Sequence, residues 1–472
     1  MPINIKIFLF HIMLSQGMKK YVYVFIAILF VVSSALLPTP EGLTRDGQIM
    51  IGILVMAVFL WLTEAIPLSA TGLLIMVLQP LLGIDSAKNV FSNFGNRAVF
   101  FILASFILAS AIEKYGLHEK MAVRFLKIFG TSPRIFIFGV MITGAFLSFI
   151  MQEHGVAAIL LPILMQILIL MKIAPKESNF GIATMLALTY GTTIGSWGTL
   201  LGGARNPLTV GFLDEIGYSL SFLDWMKMNI PIVLISLPIV TIIILMFFPP
   251  EIRNIKNAIV EIEKDAESKR VGREGKAVVS VLIVTIFLWI FFSDKIGVAV
   301  IALLSAVSLF MLGLIKWEDV EKRVQWGIIL VYGGAITMGK GLEITNSAQW
   351  IAEKLLSVLG NNEYAVLICI ILLTFLLTNL MSNTAAVATM LPISIGISLH
   401  SGISPVIGAM ATAVAGGAGF IFVVATPGMA IAYSSGYLTQ RHMAKAGIFS
   451  GLICLIIIFL ISIFYWKMIL HL

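Results

Sequence analysis

Charge is scarce in this chain: Asp, Glu, Lys and Arg make up only 12% of its 472 residues. A soluble domain carries about a quarter charged residues, so an ordinary water-facing surface is excluded over most of the length. Cysteine is rarer still. Cys369 and Cys454 both lie inside apolar segments, which leaves two packed thiols rather than a disulfide framework or a thiolate metal centre. His118, His442 and His471 have no ligand-spaced partner, so a metal site is not expected. Period-two alternation is also missing, which argues against an outer-membrane barrel. GAITMGKG (334–341) approaches a phosphate-binding loop but ends in Gly341 where Ser or Thr would hold magnesium, and no strand precedes it. No cofactor is expected, and no nucleophile–base pair points to an enzyme.

Apolar sequence fills the space that charge leaves. The chain is 59% hydrophobic, and runs long enough to cross a ~30 Å bilayer core recur from residue 21 to residue 466. The fold class is therefore an all-α polytopic membrane protein in a lipid bilayer. Lys19-Lys20 precede an apolar run, YVYVFIAILFVVSSALL, that reads as an uncleaved first helix, because so many spans follow it. Met1 and Met18 both stand as candidate starts. The formal charge of +7 fits surplus Lys and Arg in cytoplasmic loops rather than a nucleic-acid partner.

The sequence is duplicated. Shifted by 230 residues, TEAIPLSATGLL (63–74) lies over SDKIGVAVIALL (293–304), and LLPI (160–163) falls on MLPI (390–393). In the same register Gly83 meets Gly313, Glu113 meets Glu343 and Gly130 meets Gly360. One register held over about a hundred residues marks an internal repeat. The reading is an N-terminal helix and lead-in (1–46), a first repeat (47–250), a charged cytoplasmic linker (251–276) and a second repeat (277–472). First-repeat spans are expected near 47–62, 66–83, 98–116, 181–199 and 229–248, with a re-entrant hairpin at 134–173. Second-repeat spans are expected near 277–292, 296–315, 325–341, 404–424 and 445–468, with a hairpin at 363–400. An odd number of spans inverts one repeat against the other, as in secondary transporters. Lys114, Lys120, Arg124, Lys127 and Arg134, with Lys316, Lys322, Arg323, Arg441 and Lys445, place the N-terminus and linker inside and the C-terminus outside.

Polar residues interrupt both hairpins at equivalent positions. In SFIMQEHGVAAILLPI (148–163) the interruption is Gln152-Glu153-His154; in TNLMSNTAAVATMLPI (378–393) it is Ser382-Asn383-Thr384, and Ser148 overlies Thr378. Pro162 and Pro392 are expected to close the two stretches and free backbone carbonyls. Such breaks survive in a bilayer only when buried in protein or lining a wet cavity. A Gly-rich segment follows each hairpin, YGTTIGSWGTLLGGARNPLTVG (190–211) and AGGAGFIFVVATPGMAIAYSSGYLT (415–439). Glycine there permits helix breaks and close backbone approach. Glu64 is expected to cap the start of a helix, and Glu113 and Glu343 to anchor structure near the membrane surface.

SNTAAVATMLPI, ATPGMAIAYSSG and WLTEAIPLSATGLL (61–74) resemble the divalent-anion:sodium symporter family, over essentially the whole chain. The resemblance implies a homodimer with a scaffold and an elevator-like transport domain, moving dicarboxylates, citrate or sulfate with sodium as coupling ion. It implies sodium ligands at Ser382, Asn383 and the carbonyl of Ala425, and anion contacts at Thr384, Thr426 and Pro427. The family's first Ser-Asn-Thr tip is replaced here by Gln152-Glu153-His154, and its GTPPN-like break by Gly202-Gly203-Ala204-Arg205-Asn206. Gly428 and Met429 likewise stand where Pro and Asn are usual.

The first half thus retains a degenerate sodium site at Ser148, Glu153 and Gly202, with Gln152, His154, Arg205 and Asn206 as further anion-site candidates. Three readings of the new charges are open. Glu153 pairs with Arg205, whose guanidinium stands in for a sodium ion. Glu153 or His154 titrates, and a proton is the coupling ion. Arg205 grips an oxyanion through its planar fork. The bland alternative is that Glu153 and His154 cap a buried helix end. For the whole protein, a small-dicarboxylate transporter is the first expectation. An inorganic-oxyanion or proton-coupled transporter comes next, then a channel or a cation/proton exchanger.

Overall fold

The computed structural model describes residues 16–268, 272–360 and 362–470. Among these residues the regular structure is helical throughout. Among the described residues, nine helices are long and apolar enough to cross a membrane, or ten if the bent pair Ala87–Gly95 and Arg97–Lys114 forms one span. The first half contains α1 (Gln16–Leu36), α2 (Arg45–Thr63), α3 (Leu68–Leu81), α4 (Ala87–Ser92), α5 (Arg97–Lys114), α6 (Leu117–Ile128), α7 (Pro133–Leu147), α8 (Glu153–Leu170), α9 (Asn179–Gly195), α10 (Arg205–Glu215) and α11 (Phe222–Phe247). After α12 (Lys256–Ser268) come α13 (Arg273–Ile296), α14 (Val298–Met311), α15 (Trp317–Arg323), α16 (Trp326–Ile344), α17 (Ser347–Leu359), α18 (Glu363–Leu380), α19 (Asn383–Ser401), α20 (Pro405–Ala415), α21 (Pro427–Ser434) and α22 (Gln440–Leu460). From α2 and α13 onward the two series match element for element. Glu153 and Asn383, 230 positions apart, open equivalent helices.

The chain divides into two compact units. Among the described residues, the smaller holds 16–96 and 326–358. Within it α3 packs on α16 at glycine: a Cβ on Gly334 would stand 2.4 Å from the Gly72 Cα. Small residues allow such close approach where no hydrophobic effect separates helix from lipid. Gln79 Nε2 then donates to the Thr337 carbonyl at 3.0 Å, satisfying an amide that is buried in the contact. Glu64 corrects the sequence reading. It is the C-cap of α2, in the left-handed region at φ 48°, and Pro67 holds the N-cap of α3.

Among the described residues, the larger unit holds 97–268, 272–325, 359–360 and 362–470, including both hairpins, α7–α8 and α18–α19. Burial there is continuous where the backbone is irregular: every residue from 180 to 213 and from 405 to 420 is buried. That protein cover is what lets a chain break at membrane depth. It also explains two shortened spans. The apolar pattern at 181–199 yields a helix that stops at Gly195, and the pattern at 404–424 yields one that stops at Ala415. Pro162 and Pro392 do not close their stretches but lie inside α8 and α19, which run on past them. The breaks fall instead before the helices, where Gln152 and Ser382 are N-caps. Cys369 and Cys454 are free thiols.

Candidate functional site

The second hairpin tip is built from neutral oxygens. Ser382 caps α19, its hydroxyl accepting from the Ala385 amide at 3.4 Å, and Asn383 follows as the first helical residue. Thr378, one turn before the tip, donates its hydroxyl proton to the Gly416 carbonyl at 2.5 Å, and its Oγ1 lies 2.6 Å from the Asn383 side-chain amide. Without a cation, the Asn383 amide satisfies this setting with its nitrogen rather than its oxygen toward the surrounding acceptors. So turned, its nitrogen donates to Thr378 Oγ1 (2.6 Å), the Ala425 carbonyl (2.9 Å) and the Gly416 carbonyl (3.1 Å). With the amide turned over to meet a cation, four oxygens would converge: Asn383 Oδ1, Thr378 Oγ1 and the Gly416 and Ala425 carbonyls of the break between α20 and α21. That donor set suits a hard monovalent cation. Gly419 makes the close approach possible, since a Cβ there would stand 3.0 Å from Asn383 Oδ1 and 2.8 Å from the Ala425 Cβ.

The first tip is built from charge. Glu153 and Arg205 are 5% and 1% exposed, and Arg205 Nη1 stands 3.5 Å from Glu153 Oε1. Ser196 completes the pair: its hydroxyl accepts from Arg205 Nη2 at 2.6 Å and lies 2.7 Å from Glu153 Oε2. Arg205 Nε donates to the Ala413 carbonyl at 3.2 Å. The surrounding backbone is shaped to the guanidinium. A Cβ on Gly203 would stand 2.8 Å from Nη1, and one on Gly417 would stand 2.6 Å from Nη2 and 2.2 Å from Trp197 Nε1. Ser148, Glu153 and Gly202 are brought together as well. The Glu153 amide donates to the Gly202 carbonyl at 2.9 Å, and a Cβ on Gly202 would meet the Ser148 carbonyl at 2.5 Å.

The remaining candidates divide. Asn206 Nδ2 donates to the Ser196 and Thr199 carbonyls at 2.7 and 2.6 Å, so its donors serve the break between α9 and α10. His154 turns away from the ion pair and is hydrogen-bonded to the Gln325 side chain. With Gln152, Gly155, Glu113 and Arg323 it lines a cavity of about 40 Å³, room for a few waters. Gln152 Nε2 is buried there with no hydrogen-bond partner among the described residues, as is Ser148 Oγ beside the tip. Thr426 Oγ1 caps α21 through the Met429 amide at 3.0 Å, and Pro427 occupies the first helical position, where a missing N–H costs nothing. Thr384 is half-buried on the first turn of α19.

Sequence reading did not single out Thr378 and Gly416 at the second tip, or Ser196 and Ala413 at the first. Thr378 carried a signal, since it overlies Ser148 in the repeat register. Carbonyl ligands carry none, because every residue type has one. One segment serves both tips: Ala413 receives Arg205 and, three residues on, Gly416 faces Asn383. Among the described residues, no group of three or more His, Cys, Asp or Glu could hold a metal ion.

Comparisons with known proteins bear on the chain as a whole. The sequence profile of the sodium:sulfate symporter transmembrane region matches residues 18–472. The sodium-dependent dicarboxylate transporter SdcS of Staphylococcus saprophyticus is 28% identical over 485 residues, spanning 95% of this chain and 92% of its own length. The protein of the same name from Staphylococcus aureus is 29% identical over 459 residues, spanning 89% and 86%. Among solved structures, Neisseria gonorrhoeae MtrF, described with a class of antimetabolite efflux pumps, has a TM-score of 0.58 at 16% identity over 96% of this chain and 95% of that one. The Alcanivorax borkumensis YdaH transporter has a TM-score of 0.55 at 14% identity over 80% and 88%. At such identities the two structures speak for a shared fold and nothing finer. With a profile match that leaves out only the first 17 residues, the chain belongs to the sodium:sulfate symporter family, the divalent-anion:sodium group that its motifs resemble.

Proposed function

We propose that this protein is a secondary active transporter that moves a small dicarboxylate across the cell membrane, driven by a sodium gradient, through elevator-like alternating access. The observation that carries the reading is the neutral, buried cluster in which the Asn383 amide meets the Thr378 hydroxyl and the Gly416 and Ala425 carbonyls, hard oxygens that a sodium ion would share with Asn383 Oδ1 once the amide turns. The SdcS proteins, similar over most of this chain, are named as sodium-dependent dicarboxylate transporters, which supports the same coupling ion and anion class here. On this reading sodium is cargo, held by Asn383 and its neighbours with Ser382 shaping the tip. Thr384, Thr426 and Pro427 offer hydroxyl and helix-start contacts to one carboxylate, while Gln152 and His154 face the first-half side of the anion path.

The working form is a homodimer, with N-terminus and linker in the cytoplasm and C-terminus outside. The domain boundaries follow the repeats at 47–250 and 277–472. Uptake of labelled succinate by proteoliposomes tests the reading. An inward sodium gradient should concentrate the label, and potassium in its place should not. Equal uptake in both salts, or sulfate displacing succinate from every site while being itself concentrated, would sink the sodium–dicarboxylate assignment. Label that only equilibrates would indicate a channel.

A further inference from the structure

The two tips differ in what holds the positive charge, and the difference sets how many ions the cycle can carry. We infer that the Arg205 guanidinium is the resident cation of the first-half position. The cycle then takes sodium at the second-half position only, and Arg205 also braces the segment that supplies ligands there. This rests on the sodium-coupled reading above.

Three observations support it. The charged and hydroxyl oxygens beside Arg205 are already engaged, although Ser148 Oγ next to them is not: Ser196 Oγ accepts from Arg205, and the Glu153 carboxylate accepts from Ser196 and Arg205. The backbone is moulded around the guanidinium, because side chains on Gly203 or Gly417 would enter its volume. No such group stands at the equivalent place in the second half, Gly428, where an added Cβ would meet nothing closer than 3.5 Å. A sodium ion entering beside Arg205 would face a fixed positive charge in a buried setting, and arginine does not deprotonate to make way. Arg205 also reaches the second tip, since its Nε bond to the Ala413 carbonyl fixes the chain three residues before the Gly416 carbonyl.

The experiment is a sodium titration of the purified full-length protein, read as thermal stabilisation in detergent and as succinate uptake in proteoliposomes, with choline balancing ionic strength. Wild type should follow a single-site curve in both, with a Hill coefficient of about one. Asn383→Ala, with Glu153 and Arg205 intact, should lose the sodium-dependent stabilisation. Glu153→Asn combined with Arg205→Pro restores a neutral first tip with proline at a helix start, and should steepen the titration toward a Hill coefficient of about two. A wild-type curve that is already this steep, or sodium stabilisation that persists in Asn383→Ala, overturns the inference and leaves sodium coupling in place. No sodium response in wild type by either readout overturns both. Should the double variant fail to fold, wild type and Asn383→Ala decide the matter without it.

Discussion

The two hairpin tips are copies of one element in which evolution solved the same electrostatic problem in two ways. At Ser382-Asn383-Thr384 every side chain is neutral, and on the proposed reading the cation arrives from solution. At Gln152-Glu153-His154 the positive charge is covalently present in Arg205 and is balanced by Glu153. The neutral tip is reversible, and that suits an ion which must bind and leave. The charged tip is permanent, and its sum is zero, so it adds no net charge toward an anion. A buried pair of this kind is weak evidence for stability but a strong constraint on substitution, because each charge is tolerable only beside the other.

The largest expected effect breaks the charged tip. Glu153→Gln or Arg205→Met alone strands a charge that is at least 95% buried, and should cost about 3–5 kcal/mol in unfolding free energy. The double variant removes both charges and keeps the volume, and should return to within about 1 kcal/mol of wild type. Thermal or denaturant unfolding in detergent measures the cycle. Additive losses in the double variant would mean that the two side chains do not act as a pair. Next comes Gly417→Ala, whose methyl would collide with Trp197 and Arg205 and should cost about 1–3 kcal/mol. Gly428→Ala, the comparison on the other side, meets only ordinary contacts and should be near neutral. If both alanines behave alike, the cavity around the guanidinium is looser than its geometry indicates.

Much of this fold was legible in the residues, for identifiable reasons. The paired helices Pro133–Leu147 with Glu153–Leu170, and Glu363–Leu380 with Asn383–Ser401, fall where polar triplets interrupt apolar runs. A charge cost of about 2.5–3.5 kcal/mol at membrane depth makes such interruptions informative. The order of the helices followed from the 230-residue register. Helix ends were less legible. Gly195 and Ala415 end helices inside sequence that stays apolar, because tertiary cover rather than composition permits the break. Pro162 and Pro392 misled for the opposite reason, since neighbouring structure tolerates them within helices. At the tips, Glu153 and Arg205 stood out as charges. Ser196, Thr378 and the carbonyls of Ala413 and Gly416 did not, being common groups whose roles come from position alone, and the Ala425 carbonyl was marked only by the family resemblance.

A milder change sharpens the neutral tip. Thr378→Val keeps shape and deletes the hydroxyl between Asn383 and Gly416, and should cost about 0.5–1.5 kcal/mol, the net worth of a typical hydrogen bond. The loss stays small because the Asn383 amide donates to the Gly416 and Ala425 carbonyls itself. A sodium ion would lose the Thr378 oxygen from its ligands, so sodium should bind about tenfold more weakly while stability barely moves. Sodium-dependent thermal shifts separate the two effects. Unchanged sodium affinity in Thr378→Val would remove Thr378 from the ligand set.

The smallest effect supplies the baseline for the charged tip, because it changes exposure and keeps the chemistry. Lys114 and Asp319 form an ion pair at 2.8 Å between the end of α5 and α15, with side chains 29% and 23% exposed. The Lys114 ammonium, helped by the Lys316 backbone amide, holds the Asp319 carboxyl below its ordinary range. A lowered acid pKa stabilises above the unfolded value, and the contribution is lost as pH falls through the folded one. Asp319→Asn should therefore cost about 0.2–1 kcal/mol near neutral pH, an exposed pair being screened by water and salt. The difference from wild type should shrink steadily below about pH 4, where the native carboxylate gains its proton. Unfolding measured at neutral and at acid pH, for this variant and for Glu153→Gln, compares one kind of ion pair in two surroundings. If the exposed pair cost as much as the buried one, burial would not be what locks Glu153 to Arg205, and the contrast between the tips would lose its physical basis.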